Sequence, residues 1–541
     1  MIGLADLARP DTTTWEEAYA AFRDPGPQPY NIAADCLRAP GDRTALIVYA
    51  GAETPVRLSY AELDAAADRF AGLLAERGIG VGHRIAVKLP QSAEMAIAIL
   101  GTLKVGAIVV TVSNVLGDDA VEHRLHDSRA SLLVCAGDER EIATAARTGT
   151  PVVSVLDDGW LDGRVAPASL PATTSEDPAL LLYTSGTTGK SKGVLHAHRV
   201  LLGHHGVDLA WDHVRPGDVA HSPVDWSWAG GLLLGLLVPL AHGMTVVAYR
   251  DTRFDPERTV AIMRETGVSV GLFPPTALRA LQRSGALTKQ TMADLRLRSL
   301  ITGAEAVEPE LAAWARNDLG LSINNAFGQT EANALIGHAH VLGDLDPGCL
   351  GRPYPGHEVA ILDPEQRPVP AGTLGEIAVR ADDAVCMLGY WNAPEATAAK
   401  FRNGWLVTGD FGRFDASGNL HFHGRADDLI KSGGYRIGPG EIEATLYAHP
   451  AVADCAVVGV PDPVRGQEIV AYVVLAPGHG ADPELTIDLQ ARVRRQVGAH
   501  AYPRRVEYVA ALTKTSTGKV DRRALRVRAG VPAPRPEGTS A

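Results

Sequence analysis

A run of small, hydroxyl-bearing and basic residues follows the apolar segment 179–183, which is typical of a strand. The run, called the phosphate loop below, reads Thr184-Ser185-Gly186-Thr187-Thr188-Gly189-Lys190-Ser191-Lys192-Gly193. Glycines let the backbone approach an anion, hydroxyl and amide groups donate to its oxygens, and two lysines supply positive charge. The pattern predicts a loop that wraps a triphosphate, with a flexible polar surface loop as the alternative.

The phosphate loop differs from the Walker A loop of P-loop kinases and GTPases. Thr184 stands five residues before Gly189, where that motif requires a glycine. Residues 194–196 then indicate a strand, whereas a Walker A loop opens a helix. The sequence therefore disfavours a P-loop kinase or GTPase.

Lysines are rare in this chain and concentrate in a few glycine-containing segments. Only nine of the 51 basic residues are lysines, and five of them lie in segments 184–193, 424–443 and 513–525. Arginine supplies most of the positive charge of this chain, so few of its lysines are needed as solubilising groups. This distribution favours a role for these ammonium groups in handling phosphate.

The phosphate loop resembles a signature of the adenylate-forming superfamily, which contains acyl-CoA synthetases, peptide-synthetase adenylation domains and luciferases. Four further segments resemble its other motifs and follow in the same order: Phe327-Gly328-Gln329-Thr330-Glu331, Trp405-Leu406-Val407-Thr408-Gly409-Asp410, Gly424-Arg425-Ala426-Asp427-Asp428 and residues 514–519. The resemblance extends along nearly the whole chain. Residues 31–35, 225–228 and 431–438 are most similar to short- and medium-chain acyl-CoA synthetases.

This resemblance implies a ligase that uses ATP, Mg²⁺ and coenzyme A. A carboxylate is a poor acyl donor because its leaving group would be oxide, so the superfamily makes acyl-AMP and releases pyrophosphate. The substrate carboxylate is the nucleophile, and the sequence contains none of the usual enzyme-nucleophile signatures. The protein must instead bring two anions together, which positioned cations and Mg²⁺ allow. The acyl group of a short- or medium-chain, or aryl, acid would then pass to CoA.

The resemblance assigns most nucleotide contacts to the first two motifs. Glu331 would hold Mg²⁺ with triphosphate oxygens, and Thr330 would donate to the α-phosphate. Phe327 stands where the family usually has tyrosine, so adenine stacking is retained without a phenolic hydrogen bond. The other implied contacts are the loop residues Thr184, Ser185, Gly186, Thr187, Thr188, Gly189, Lys190 and Lys192, the adenine-side residues Gly303, Ala304 and Glu305, and Gly328 and Gln329.

The third and fourth motifs would complete the nucleotide site. By resemblance, Asp410 accepts both ribose hydroxyls and Arg425 assists it. An aspartate after a glycine is otherwise a common turn residue, and an acid such as Glu331 is otherwise a common exposed residue after a turn. These two structural interpretations remain alternatives to the ribose role of Asp410 and the Mg²⁺ role of Glu331.

The resemblance gives the C-terminal part of the chain two successive roles. Lys519 would bridge the carboxylate and the α-phosphate during adenylation, a role that one flexible cation can fill. Rotation about Asp427 would then withdraw Lys519 and bring Gly433 and Gly434 to the site, where glycines leave room for a pantetheine thiol. Arg436 is a candidate contact for a CoA phosphate. A plain turn is the alternative for the two glycines.

The acyl pocket is expected to draw on Trp226, Trp228, Gly303 and Ala326. The two tryptophans indicate an apolar acyl group, although large aromatic side chains more often belong to the core. Related sequences often have a larger residue at the position of Ala326, so this alanine deepens the pocket or adjusts packing. Chain length, branching and aromaticity of the acid stay open.

The elements that position these residues predict an α/β fold. In residues 1–170, a capping box at Ser59 and Glu62 and alternating patterns of helix (93–104) and strand (84–89, 107–111) favour parallel strands layered with helices. Short β-like pieces from about 350 to 424 predict a β-rich subdomain. Helix 439–447, strands 454–460 and 468–475 and helix 486–497 predict a small α+β unit. We expect an N-terminal AMP-binding domain over 1–424, a mobile C-terminal AMP-binding domain over 425–530 and a disordered tail over 531–541.

Composition limits the partners and the compartment. The net charge of −12, without a block of basic residues, disfavours nucleic acid as a partner. Five scattered cysteines without a C-x-x-C pair predict neither a disulfide framework nor a thiolate metal site. The first fifteen residues lack the pattern of a signal peptide, so we expect a cytoplasmic protein. The apolar segment 228–249 is interrupted by glycine and proline and predicts a buried helix, a turn at 242–243 and strand 244–248, with no membrane span.

Two other functions remain open at this point. An adenylating enzyme could pass the acyl group to a carrier-protein thiol or another nucleophile instead of CoA, and a nucleotide-binding module could lack turnover. The apparent retention of Glu331, Asp410 and Lys519 favours an enzyme. Three His-x-His pairs, at 196/198, 338/340 and 421/423, put two histidines on one face of a strand but lack further ligands at metal spacing.

Overall fold

The computed structural model describes residues 1–49, 54–157, 159–184, 191–249, 254–303, 307, 309–343, 348–425, 428–432, 435–463, 465–498, 501–514 and 520–531. Several residues with predicted roles lie outside the described residues: Ser185, Gly186, Thr187, Thr188, Gly189, Lys190, Ala304, Glu305, Asp427, Gly433, Gly434 and Lys519. The side chain of Arg436 and the expected tail from residue 532 onward also lie outside them.

Two large mixed sheets dominate the described part of the N-terminal region. The first contains, in spatial order, Arg352–Pro353, Ala332–Gly337, Ile323–Gln329, Ser299–Gly303, Val270–Leu272, Val219–His221, Thr245–Ala248, Thr44–Val48 and Val56–Ser59. The second contains Gly389–Tyr390, Gly193–Ala197, Pro178–Tyr183, Ile108–Thr111, Arg84–Lys88, Leu132–Cys135 and Val152–Ser154. Their central strands are parallel, as the alternation of helix and strand patterns predicts.

Helices cover the sheets and join their cores. The described α-helices are Trp15–Ala21, Ile32–Cys36, Tyr60–Glu76, Ala93–Lys104, Asp118–Ser128, Glu139–Thr148, Gly206–Ala210, Ala229–Leu232, Val238–Ala241, Pro256–Thr266, Pro275–Ser284, Lys289–Met292, Pro309–Trp314, Pro394–Lys400, Pro439–Tyr447, Pro483–Gln496 and Arg522–Arg528. Phe70 and Ile99 on two of these helices pack into one core with Val87 of the second sheet and Leu46 of the first. Burial of these apolar side chains holds the two sheets together.

Two smaller sheets follow in the chain. The first contains Val359–Leu362, Gly375–Arg380, Trp405–Phe414, Phe401–Arg402 and, paired with Trp405–Phe414, Leu420–Arg425. This confirms the predicted β-rich texture from about residue 350. The second contains Tyr435–Ile437, Ile430–Ser432, Gly466–Leu475, Val452–Asp462 and, paired with Gly466–Leu475, Arg505–Tyr508.

Most predicted elements exist, with small shifts at their ends. The capping box is formed, because Ser59 Oγ accepts from the Glu62 amide and the Glu62 carboxylate accepts from the Ser59 amide. Helices 93–104 and 439–447 have the predicted bounds. Strands 454–460 and 468–475 are longer than predicted, because their antiparallel ladder runs on to the pair Asp462 and Gly466. Helix 486–497 begins earlier, at Pro483, where Asp482 caps it.

The apolar segment 228–249 folds as predicted. Helix Ala229–Leu232, the π-helical turn Leu233–Leu237 and helix Val238–Ala241 run into a turn, and strand Thr245–Ala248 follows. The leucines of the π-helical turn are buried in the main core. Within the described ranges, no helix has both the length and the apolar character needed to cross a bilayer.

Candidate active site

The second motif forms the tip of a β-hairpin. Strands Ile323–Gln329 and Ala332–Gly337 are antiparallel, and Gln329 pairs with Ala332, so Thr330 and Glu331 are the two residues of the turn. A Cβ at Gly328 would collide with the backbone of the facing strand, so this position accepts only glycine. The hairpin therefore presents a hydroxyl and a carboxylate at a fixed, rigid point, called the hairpin tip below.

Tyr390 holds the carboxylate at the hairpin tip. Its hydroxyl donates to Glu331 Oε1 at 2.6 Å, and its strand lies at the edge of the second sheet, opposite Val194. Burial, reinforced by the charge of Glu331, raises the pKa of Tyr390, so the phenol stays protonated and acts as the donor. Glu331 Oε2 makes no hydrogen bond to a described residue. The sequence motifs gave no indication of this tyrosine.

The phosphate loop ends beside the same tyrosine. The Thr184 amide donates to the Lys192 carbonyl at 3.0 Å, which closes the base of the loop as a hairpin. Lys192 Nζ lies 5.3 Å from the centroid of the Tyr390 ring, over its face. One described lysine of the loop thus lies close to the tyrosine that holds Glu331.

His196 supports the other residue of the hairpin tip. This histidine is buried, and its Nε2 lies 2.7 Å from the Thr330 carbonyl. Burial lowers the pKa of His196 to about 4, so the ring is neutral near pH 7, and the carbonyl acceptor requires the proton on Nε2. His196 appears in the sequence only as half of a His-x-His pair. Among the described residues, no three His, Cys, Asp or Glu side chains are grouped so that they could hold a metal ion.

Asp410 joins the third motif to the second. Its buried carboxylate accepts from Gln329 Nε2 at 3.2 Å, and its amide donates to Thr408 Oγ1 at 3.0 Å. Gly409, at φ +79°, turns the backbone within the strand, and its amide donates to Glu376 Oε1 at 3.1 Å. Arg425, from the fourth motif, is opposite Asp410 in the ladder.

Phe327, to which the resemblance assigns adenine stacking, lies beside a second phenylalanine ring. The rings of Phe327 and Phe422 have centroids 6.0 Å apart, and 38% of Phe422 is exposed. Gly303 pairs with Ala326 in parallel strands, where an added Cβ would lie 2.6 Å from the Ala326 carbonyl oxygen. Phe422 was not among the predicted residues, because a single aromatic residue in a strand gives no signal of its own.

The segment with the two tryptophans is anchored by hydrogen bonds from neighbouring segments of the chain. Ser113 Oγ donates to Asp225 Oδ2 at 2.6 Å, and Gln91 Nε2 donates to the Val224 carbonyl at 2.6 Å. Trp226 is only 1% exposed and belongs to the main core, whereas Trp228 is half-buried. Of these two tryptophans, only Trp228 has a surface that a ligand can reach in this structure.

The residue after the predicted hinge is tied to the last described helix. The Asp428 carboxylate accepts a hydrogen bond from Arg526 and lies 3.9 Å from Arg522 Nη1. Arg522 also makes a two-pronged contact with Glu443, at 2.7 Å to each oxygen. The backbone of Arg436 lies in strand Tyr435–Ile437, opposite Lys431.

The geometry brings residues of four of the predicted motifs together. Thr330, Glu331, Gln329, Asp410 and Arg425 lie in one continuous array, which Lys192 reaches through Tyr390. Phe327, Gly303 and Ala326 are neighbours on the adjoining strands. The sites predicted for Lys519, Asp427, Gly433 and Gly434 lie outside the described residues, so their placement stays a prediction.

Comparison with known families matches the N-terminal and the C-terminal part of the chain to two family models. A family model described as "AMP-binding enzyme" matches residues 33–391, and one described as "AMP-binding enzyme C-terminal domain" matches residues 441–519. The first match covers more than half of the sequence. Both matches agree with the resemblance seen in the motifs.

Individual proteins support the same assignment. The chain is 30% identical over 507 residues to acetyl-coenzyme A synthetase of Bacillus subtilis (strain 168), covering 89% of this chain and 86% of that one. ATP-bound MatB of Rhodopseudomonas palustris superposes with a TM-score of 0.84 at 28% identity, covering 93% and 99% of the two chains. A benzoate CoA ligase of Burkholderia xenovorans LB400 gives 0.81 at 27% identity, covering 92% and 100%.

Removing the hydroxyl that holds Glu331 tests the hairpin tip. We expect Tyr390→Phe to weaken binding of ATP in the presence of Mg²⁺ by about tenfold or more, because a hydrogen bond to a charged group contributes about 1.5–3 kcal/mol. Isothermal titration calorimetry at several Mg²⁺ concentrations measures the change. Tyr19→Phe, which removes an exposed hydroxyl bonded to the Pro353 carbonyl, is the matched control. Equal affinities for the two variants would contradict the role of Tyr390.

Proposed function

The chain belongs to the AMP-binding enzyme family and is an AMP-forming acyl-CoA ligase, and we propose that it activates a short- or medium-chain, or aryl, carboxylic acid. The observation that carries the proposal is the hydrogen bond between Tyr390 and Glu331, which fixes a carboxylate at the hairpin tip, with Lys192 over the face of the same tyrosine ring. Family membership together with the acetyl-CoA synthetase relative does not favour the two alternatives, transfer to a carrier protein and binding without turnover.

The hairpin tip provides the charges that adenylation needs. Glu331 fits Mg²⁺, because carboxylate oxygens are the ligands this ion prefers and the Tyr390 hydroxyl bonds Oε1 rather than Oε2. Bound there with ATP, Mg²⁺ would offset the negative charge of the triphosphate. Thr330 offers a hydroxyl to the α-phosphate, and His196 keeps its backbone in place. Lys192 adds a cation from the phosphate loop.

The nucleoside part of ATP is assigned to the β-rich sheet and the hairpin. Asp410 would accept hydrogen bonds from the ribose hydroxyls, with Arg425 beside it in the ladder. Phe327 and Phe422 provide aromatic faces for adenine, and neither has a polar group that would require a particular base edge. The loop residues Thr184 to Lys190, together with Ala304 and Glu305, complete this proposal from the motif resemblance.

The C-terminal region would serve the two half-reactions in turn. In the proposed scheme Lys519 neutralises the carboxylate and the α-phosphate in the first step. Rotation about Asp427, between the proposed domains 1–424 and 425–530, then exchanges Lys519 for Gly433 and Gly434. Arg436 is the proposed phosphate contact for CoA. The hydrogen bond between Asp428 and Arg526 supports a hinge at Asp427, because the residue directly after it is held by the proposed C-terminal domain.

The acyl pocket is proposed to lie between Trp228, Gly303 and Ala326. The residues at 303 and 326 are small and the Trp228 indole is half-buried, so the proposed pocket suits an apolar group. One relative is an acetyl-CoA synthetase and one structural neighbour is a benzoate CoA ligase, so the proposed range includes aliphatic and aryl acids. We place the reaction in the cytoplasm, in keeping with five buried free thiols.

Loss of the proposed bridging cation separates the two half-reactions. We expect Lys519→Ala to reduce acyl-AMP formation by at least 100-fold and to leave thioester formation from supplied acyl-AMP within about threefold, because the lysine acts only in the first step. ATP–pyrophosphate exchange and thioester detection with CoA measure the two steps. Lys514→Ala is the control, because this lysine belongs to the same segment but pairs with Asp454 at 3.8 Å. Equal loss of both steps would refute the two-position scheme.

A bulky side chain in the proposed thiol passage gives the opposite result. We expect Gly434→Leu to retain pyrophosphate exchange and to reduce thioester synthesis by at least tenfold, because leucine fills the space that glycine leaves for pantetheine. The same two assays report both steps on one preparation, and Gly440→Leu, at an open position nearby, is the control. Thioester synthesis that persists in Gly434→Leu would mean that the thiol enters elsewhere.

A further inference from the structure

Lys400 is a half-buried cation that touches the nucleotide site and belongs to none of its motifs. It ends helix Pro394–Lys400, and its ammonium donates to three oxygens. The distances from Nζ are 2.9 Å to the Thr408 carbonyl, 3.1 Å to the Val407 carbonyl and 3.3 Å to Gln329 Oε1. An ammonium has three protons, so these neutral acceptors use all of them.

The surroundings make this charge costly to keep. No carboxylate is within hydrogen-bond reach of Nζ among the described residues, and burial lowers the pKa of Lys400. Glu331, Asp410 and Glu376 lie near enough to oppose that shift, whereas Arg425 adds to it. A solubilising lysine would extend into water. Lys400 instead places its charge beneath residues proposed to bind ATP.

The partners of Lys400 fix the side-chain amide of Gln329. Lys400 can only donate, so it requires the oxygen of this amide on its side, and the ionised Asp410 can only accept, so it requires the nitrogen. The same nitrogen donates to the Thr408 carbonyl at 3.0 Å. Turning the amide over would place its nitrogen against the Lys400 ammonium and its oxygen against the Asp410 carboxylate. The Lys400 donor and the Asp410 acceptor therefore leave only one orientation for the Gln329 amide.

The backbone contacts of Lys400 act on the same carboxylate. The Val407 and Thr408 carbonyls directly precede Gly409, where the chain turns to place Asp410. Thr408 also accepts from the Asp410 amide through its hydroxyl. Lys400 thus holds Asp410 both from the side-chain end, through Gln329, and from the main chain that leads to it.

We propose that Lys400 is a positioning residue that, through Gln329 and the carbonyls of residues 407 and 408, orients the Asp410 carboxylate for the ribose of ATP. The inference rests on the proposed ribose role of Asp410. Donor-only chemistry at position 400 is the essential property, since only a side chain without an acceptor always presents a proton to the Gln329 oxygen and to the carbonyls of residues 407 and 408. Arginine satisfies this requirement, whereas methionine and glutamine do not.

Affinity for two nucleotides tests the proposal. Isothermal titration calorimetry in excess Mg²⁺ compares ATP with 2′-deoxy-ATP, and the ratio of their dissociation constants is the ribose preference. We expect Lys400→Met and Lys400→Gln to reduce this preference by about tenfold, the size of one lost hydrogen bond to a charged group. Lys400→Arg is expected to keep it within about twofold. Lys104→Met, which removes a part-buried lysine paired with Asp64 and Asp68, is the matched control and should leave the preference unchanged.

The outcomes separate this inference from the proposed function. A wild-type protein without any ribose preference would overturn the role of Asp410 and the inference with it. A preference that is present in the wild type and unchanged in Lys400→Met and Lys400→Gln would overturn the role of Lys400 alone. A loss as large in Lys400→Arg as in Lys400→Met would also overturn it, because donor chemistry would then not matter. If Lys400→Met fails to fold, Lys400→Gln against Lys400→Arg gives the same decision.

Discussion

Repulsion between two anions is the constraint on which this structure depends. A carboxylate must approach a triphosphate, and in a site that excludes water such repulsion is larger than in solution. The protein therefore needs cations and polar groups that are fixed before the reactants meet, because reorganising them during the reaction would cost the free energy that they provide. In the proposed site, a two-residue hairpin turn with a tyrosine on its carboxylate and a histidine on its backbone would meet that need.

The rigidity of the site comes from the way three sheets converge on it. The first large sheet supplies the hairpin tip, the second supplies Tyr390 and the end of the phosphate loop, and the smaller β-rich sheet supplies Asp410. Small movements of the sheets would therefore be felt directly in the distances between these side chains. The polar chain from Lys400 through Gln329 to Asp410 links the hairpin to the β-rich sheet. Packing of the cores thus fixes the distances between the side chains of the site.

Sequence reasoning proposed the residues that would carry charge but not those that hold them in place. Glu331, Asp410 and Arg425 were predictable because each belongs to a contiguous motif with a chemical purpose. Tyr390 and Lys400 were not, because they lie 59 and 71 residues from Glu331 and Gln329, and such contacts arise only from folding. The same limit applies to the fold. Helix 93–104 follows from local patterning and capping, whereas the pairing of strand Gly389–Tyr390 with Gly193–Ala197 is set by tertiary packing.

The direct test of this account is ATP–pyrophosphate exchange over a panel of acetate, medium-chain fatty acids and benzoate, with the wild type compared to Glu331→Gln. The account predicts exchange that requires both an organic acid and Mg²⁺, and a decrease of at least about 100-fold when the carboxylate becomes a neutral amide of the same shape. Exchange by Glu331→Gln at the wild-type rate, or none by the wild type with any acid, would contradict it.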